Sequence, residues 1–138
     1  MGLPVPNESA TAPVVATGRF GAIRKRILLA DDQQLVRDAI ALLLSLDEHT
    51  VVEAVDGAEA FDLFKPGHFD LVITDFEMPN MKGDELASRI KQAWPAQPVM
   101  MISAYAERLR YSDSAVDALL EKPFHLEDLR RVIAELLA

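Results

Sequence analysis

Short apolar runs alternate with amphipathic stretches from Arg26 onward, and this alternation constrains the fold more than any other feature of the chain. RILLA (26–30) is apolar and too short for a stable helix, so it reads as a strand buried on both faces. Residues 33–46 carry apolar groups at Leu35, Val36, Ala39, Ile40, Leu43 and Leu46, a helical spacing. TVVEA (50–54) predicts a second strand, rich in β-branched residues. Asp56-Gly57 then turns the chain into a helix over 58–65, which Lys65-Pro66-Gly67 is expected to stop. DLVIT (70–74) predicts a third strand ending in Asp75, and the loop DFEMPNMKG leads to a helix over 84–94 closed by Trp94-Pro95. PVMMIS (98–103) is a fourth strand, 105–114 a short helical segment, and AVDALLE (115–121) holds a fifth strand. The last helix, 126–137, opens with Glu127 and Asp128, acids that suit the positive end of a helix dipole. Strands and helices in this order predict an α/β fold, a parallel sheet covered on both faces.

The length of 138 residues fits one domain with a real core. With 14 Lys and Arg against 22 Asp and Glu the net charge is −8, which argues against nucleic acid as a direct partner and favours cations or basic surfaces. The sequence has no cysteine, which excludes disulfides and thiolate chemistry and fits a reducing compartment. No stretch approaches the roughly 18 apolar residues of a membrane span. The N-terminal segment is rich in Pro, Ala, Thr and Gly and lacks the regions of a secretory signal; Pro6 occupies the Ser/Thr position of a myristoylation motif. Residues 1–24 are therefore expected to be a flexible extension before a domain over 25–138, in a cytoplasmic protein with no membrane partner.

Ligands of open parallel sheets bind beyond the carboxyl ends of the strands. This sequence places Asp31 and Asp32 after strand one, Asp75 after strand three, Ser103 at the end of strand four and Lys122 after strand five. Taken singly, each has an ordinary explanation as a helix cap or a surface residue. Taken together, three carboxylates in a partly buried cleft repel one another unless a cation lies among them. A hard divalent ion with oxygen ligands meets that need. Mg²⁺, which binds through a few carboxylates and keeps waters, is the expected one. His49, His68 and His125 fall in turns or at a helix start and are assigned no function.

The acid pair in LLADD, the acid in LVITDFEMP, the hydroxyl in MMISA, and EKPF occur in an order and at spacings that resemble the receiver domain of two-component response regulators. The resemblance covers Arg26 to Ala138. It implies a flavodoxin-like, doubly wound, five-stranded parallel sheet in the order 2-1-3-4-5 with helices on both faces. It also implies that Asp75 accepts a phosphoryl group from a phosphohistidine on a sensor histidine kinase or a histidine phosphotransfer protein. Asp32 and Asp75 would bind Mg²⁺ through their carboxylates, Asp31 largely through water, and Glu77 through its backbone carbonyl. Ser103 would hydrogen-bond the phosphoryl group, and Lys122 would pair with it beside a cis Lys122–Pro123 bond. Such a protein is a phosphoacceptor and not a turnover enzyme on an external substrate. The chemistry agrees: carboxylates form acyl phosphates, and phosphoryl transfer needs little beyond positioning and neutralised oxygens.

Two features depart from the family pattern. Leu119, three residues before Lys122, stands where receivers usually carry an aromatic residue that swings on activation. The stretch between Ser103 and Lys122 is also shorter than usual. Both changes fall on the surface through which receivers signal, so the output switch is expected to differ while the phosphoacceptor chemistry is kept. Tyr105 and Glu77 occupy positions that tune phosphoryl lifetime in this family. With no DNA-binding or catalytic domain in the sequence, a stand-alone regulator is expected, acting on a downstream protein or passing the phosphoryl group onward. The alternative is a non-phosphorylated pseudo-receiver that serves as an interaction module. A Mg²⁺-dependent phosphohydrolase usually has a second Asp where Glu77 stands, and a flavodoxin needs phosphate donors where this chain has acids.

Overall fold

The computed structural model describes residues 24–104 and 115–138. Its elements in chain order are β1 (Arg26–Ala30), α1 (Gln34–Leu46), β2 (Thr50–Ala54), α2 (Gly57–Gly67), β3 (Leu71–Asp75), α3 (Gly83–Ala93), β4 (Val99–Ser103), β5 (Ala118–Glu121) and α4 (Leu126–Leu137). The segment 105–114 and the N-terminal extension through residue 23 lie outside the described residues.

The strands form one sheet in the order β2-β1-β3-β4-β5, with every neighbouring pair parallel. From β1, second in the sheet, the chain moves out to the edge strand β2, then crosses back to β3. This reversal opens a crevice between the carboxyl ends of β1 and β3. Strand alternation divides the core between the two faces. Ile27 and Leu29 of β1 pack with Ile73, Ile40 and Leu44 of α1, and Leu129 and Ile133 of α4. Leu28 and Ala30 pack the other way, with Val72, Ala60 and Phe64 of α2, and Leu86 and Ile90 of α3. β1, β3 and β4 are almost wholly buried, which is why their sequences read as continuous apolar runs and not as alternating ones.

The strands lie within a residue or two of where the pattern puts them, except that β5 is confined to Ala118–Glu121. Asp117 marks its start: its N–H donates to the Val99 carbonyl at 2.8 Å and its carboxylate accepts the Val99 N–H at 2.8 Å. α2 runs past the expected stop to Gly67, through Pro66. A proline in the last turn removes one hydrogen bond, the one to the Asp62 carbonyl, without ending the helix. The helix ends at His68, which takes a left-handed conformation at φ 59°. The start of α2 is capped by Asp56, whose carboxylate accepts the Glu59 N–H at 2.7 Å. Lys122–Pro123 is cis.

Candidate functional site

The site residues sit at the last position of a strand or just beyond it, and there the ladder continues for a single bond. The Asp31 N–H donates to the Ala54 carbonyl at 3.1 Å, Phe76 N–H to Ile102 at 3.0 Å and Lys122 N–H to Ser103 at 2.9 Å. Backbone pairing therefore holds these strand ends level, and the side chains that follow meet at one edge. Carboxylate oxygens of Asp31, Asp32 and Asp75 lie within 4.8 Å of one another. Asp31 and Asp75 are buried, whereas Asp32 is exposed at the mouth. Lys122 Nζ reaches Asp75 Oδ1 at 3.0 Å. Ser103 is buried at the end of β4, beside the strand that ends in Asp75.

The electrostatics follow from this geometry. Burial, reinforced by Asp75 and Asp32, pushes the Asp31 carboxyl up to about 6, against the Gln33 N–H that its Oδ1 accepts at 2.8 Å and the Lys122 charge. Burial raises Asp75 as well, while the Lys122 ammonium holds it down. One ammonium cannot balance three clustered carboxylates. The donors are all hard oxygens, partly buried and short of positive charge, and this is the set that suits a small divalent cation. The residues fit Mg²⁺.

The loop after β3 is fixed from several sides. The Thr74 hydroxyl donates to the Asp75 carbonyl at 2.9 Å, and the Gly83 N–H donates to the Phe76 carbonyl at 2.9 Å. Asn80 donates to the Asp56 carboxylate at 2.7 Å, which links the loop to the start of α2. The Glu77 carboxylate lies 3.6 Å from Lys82 Nζ and is not one of the three clustered carboxylates. Expected site residues Asp31, Asp32, Asp75, Ser103 and Lys122 all converge on this edge. Sequence reasoning passed over Arg37, which donates to the Asp31 carbonyl at 2.7 Å. The available signal was a charge within the buried stripe of α1, seven residues before the core residue Leu44. Of the histidines, His49 Nδ1 accepts the Lys25 N–H, His68 ends α2, and His125 caps α4.

The model of the response regulator receiver domain matches residues 27–134. The chain belongs to that family. Relatives and solved receivers agree with the assignment. Response regulator MprA of a Mycobacterium species (strain KMS) is 35% identical over 107 residues, which cover 75% of this chain and 46% of that protein. The autoinducer 1 sensor kinase/phosphatase LuxN of Vibrio campbellii is 31% identical over 129 residues, 92% of this chain and 15% of that protein. The receiver thus spans about half the length of one curated relative and a small part of the other. Among solved structures, the response regulator TrrA of Thermotoga maritima, in complex with Mg²⁺-BeF, superposes with a TM-score of 0.77 at 32% identity, covering 82% of this chain and 99% of that one. The sheet order and helix placement are those of a CheY-like, flavodoxin-like receiver. No helix among the described residues is long and apolar enough to cross a membrane.

Proposed function

We propose that this receiver accepts a phosphoryl group on Asp75 from a phosphohistidine donor, in a Mg²⁺-dependent reaction, and that residues 25–138 form the functional unit. The donor is a sensor histidine kinase or a histidine phosphotransfer protein. The observation that carries this reading is the placement of Lys122 Nζ 3.0 Å from Asp75 Oδ1 within a cluster of three carboxylates.

In the transfer, a carboxylate oxygen of Asp75 forms a bond to phosphorus as the phosphorus–nitrogen bond of the phosphohistidine breaks. The electron pair leaves with the imidazole, and Asp75 becomes an acyl phosphate. Asp32 and Asp75 would hold Mg²⁺ with their carboxylates, Asp31 largely through water, and Glu77 would add its backbone carbonyl. The bound ion supplies neutralising charge to the phosphoryl oxygens. Lys122 shares its charge between Asp75 and the incoming oxygens, and Ser103 offers its hydroxyl to one of them. Burial leaves Asp75 little exposed to bulk solvent. The chain serves as phosphoacceptor and assists its own phosphorylation and dephosphorylation without turning over an external substrate. It acts in the cytoplasm, through a downstream protein or by onward transfer of the phosphoryl group, without contacting nucleic acid or membrane.

Incubation with acetyl phosphate and Mg²⁺ tests this directly. Intact mass should rise by one phosphoryl group, and Asp75→Asn should abolish the gain. Labelling that persists in Asp75→Asn would move the nucleophile elsewhere. A wild-type chain that folds, binds Mg²⁺ and still takes no label would instead favour a pseudo-receiver.

A further inference from the structure

Arg37 occupies a position on α1 that an apolar residue would ordinarily fill, three residues before Ile40 and seven before Leu44, both buried. Its side chain is only 13% exposed. The guanidinium makes two bonds in different directions. Nη1 donates to the Asp31 carbonyl at 2.7 Å, and Nε donates to Glu53 Oε1 on β2 at 3.0 Å. The Asp31 carbonyl belongs to the peptide that joins Asp31 to Asp32. Because a peptide is planar, fixing that oxygen fixes the plane from which the Asp32 side chain departs.

The rest of Asp31 is tied as well, through its N–H to the Ala54 carbonyl and through Oδ1 to the Gln33 N–H. Asp32 is exposed, so the backbone must aim it. We propose that Arg37 is the positioning residue of the acid pair: anchored by Glu53, it orients the Asp31–Asp32 peptide so that both carboxylates point into the cluster with Asp75. A planar fork spans two acceptors that a single ammonium cannot span together. The inference rests on the Mg²⁺ site proposed above and adds a residue that touches neither the ion nor the phosphoryl group.

The test is a titration of Mg²⁺ alone against the melting temperature of the full chain, with circular dichroism to confirm folding. Arg37→Met should raise the Mg²⁺ concentration at half-maximal stabilisation roughly ten-fold, as expected when a group that orients metal ligands is removed. Arg37→Lys, which keeps one donor for the Asp31 carbonyl, should recover part of that loss. Glu53→Gln, at a half-exposed site, should shift the half-point upward by a smaller factor. If Arg37→Met does not fold, the other two variants decide, and both must shift in that direction. A wild-type chain with no response to Mg²⁺ would overturn the metal site itself. A responsive wild type whose variants share its half-point, however much their melting temperatures in chelator differ, would overturn the role of Arg37 alone.

Discussion

Lys122 and Asp75 stand 3.0 Å apart, an ammonium and a carboxylate brought together from the ends of β5 and β3. Both are largely withdrawn from solvent, with side chains 23% and 7% exposed. Among the described residues this is the one ion pair made to the cluster of Asp31, Asp32 and Asp75. Removing the lysine leaves three carboxylates with no counter-charge. In chelator, Lys122→Ala should therefore lose about 1.5–3 kcal/mol of stability, the range for a hydrogen bond to a charged group. Asp32→Ala should move the other way in chelator because a like charge is gone. It should also lose most of the stabilisation by Mg²⁺, which for the wild type is roughly 2.7 kcal/mol at 100 times the dissociation constant. Urea denaturation with and without Mg²⁺ measures both, and equal responses of Asp32→Ala and wild type would displace the metal site.

The raised carboxyls set a pH dependence whose sign is the reverse of the usual carboxylate case. A group with a higher pKa folded than unfolded binds its proton more tightly in the folded state, so protonation favours folding. Asp31 moves from an unfolded value of 3.8 to about 6. In chelator, stability should fall as pH rises between those two values, by about 2–3 kcal/mol from Asp31, with Asp75 adding in the same direction. Below that window, the N-cap bonds that hold Asp56 and Asp128 low are lost on protonation, and stability drops again. Saturating Mg²⁺ should raise stability most at high pH, since the ion competes with protons for the same oxygens. Urea midpoints between pH 4 and 8 give the profile. If Asp31→Asn left the decline unchanged, burial of Asp31 would not be its cause.

Most of the sheet and the converging acids could be read in the sequence because their causes are local or periodic. Apolar runs such as LVIT and VMMIS are buried on both faces, so they stand out without knowledge of their neighbours. The acids became legible as a group once the strands fixed their edge. What stayed hidden depends on contacts between distant segments. Nothing near Pro66 announces that the helix ends at His68 instead. Arg37 resembles a surface arginine until α1 is laid against β2, and Gly83 resembles an ordinary loop glycine until α3 is docked beneath Asp75. The strand order came from likeness to receivers, since parallel strands joined by helices admit other orders with the same local pattern.

Gly83 packs against the backbone of Asp75, the proposed phosphoacceptor. A Cβ there would come 2.2 Å from the Asp75 carbonyl oxygen, and neither side of that contact is a flexible chain end. Gly57 meets the Met81 carbonyl oxygen equally closely, on the far side of the same loop. Alanine at either position should cost about 1–3 kcal/mol through overpacking. Their effects on chemistry should differ. Gly83→Ala displaces Asp75 itself, so labelling by acetyl phosphate should slow roughly ten- to hundred-fold per folded molecule. Gly57→Ala should leave that rate unchanged. Equal slowing in both variants would mean that the loop as a whole, and not the seat of Asp75, controls the reaction.

Ser103 and Leu119 lie on neighbouring strands but have different standing in the response to phosphorylation. Ser103 ends β4 beside Asp75, buried, and its carbonyl accepts the Lys122 N–H at 2.9 Å, so a move of Ser103 is felt at the lysine. Leu119 pairs in register with Met101 at the middle of β5 and is half-buried. Its strand neighbours Ala118 and Leu120 pack toward α1 and α4, so alternation turns Leu119 to the opposite face. With no ring to swing and no hydroxyl to bond at the surface, Leu119 is expected to stay in place as a packing residue on that face while Ser103 moves. Beryllofluoride with Mg²⁺, a mimic of the phosphoryl group, should raise the melting temperature of the wild type, and the increment reports contacts made to the mimic. Ser103→Ala should shrink the increment because the hydroxyl contact is lost. Leu119→Met, similar in volume, should lower the baseline stability by less than about 1.5 kcal/mol and leave the increment intact. If Leu119→Met reduced the increment as much as Ser103→Ala does, β5 would be coupled to the phosphoryl site through Leu119, and this chain would switch by a side-chain exchange after all.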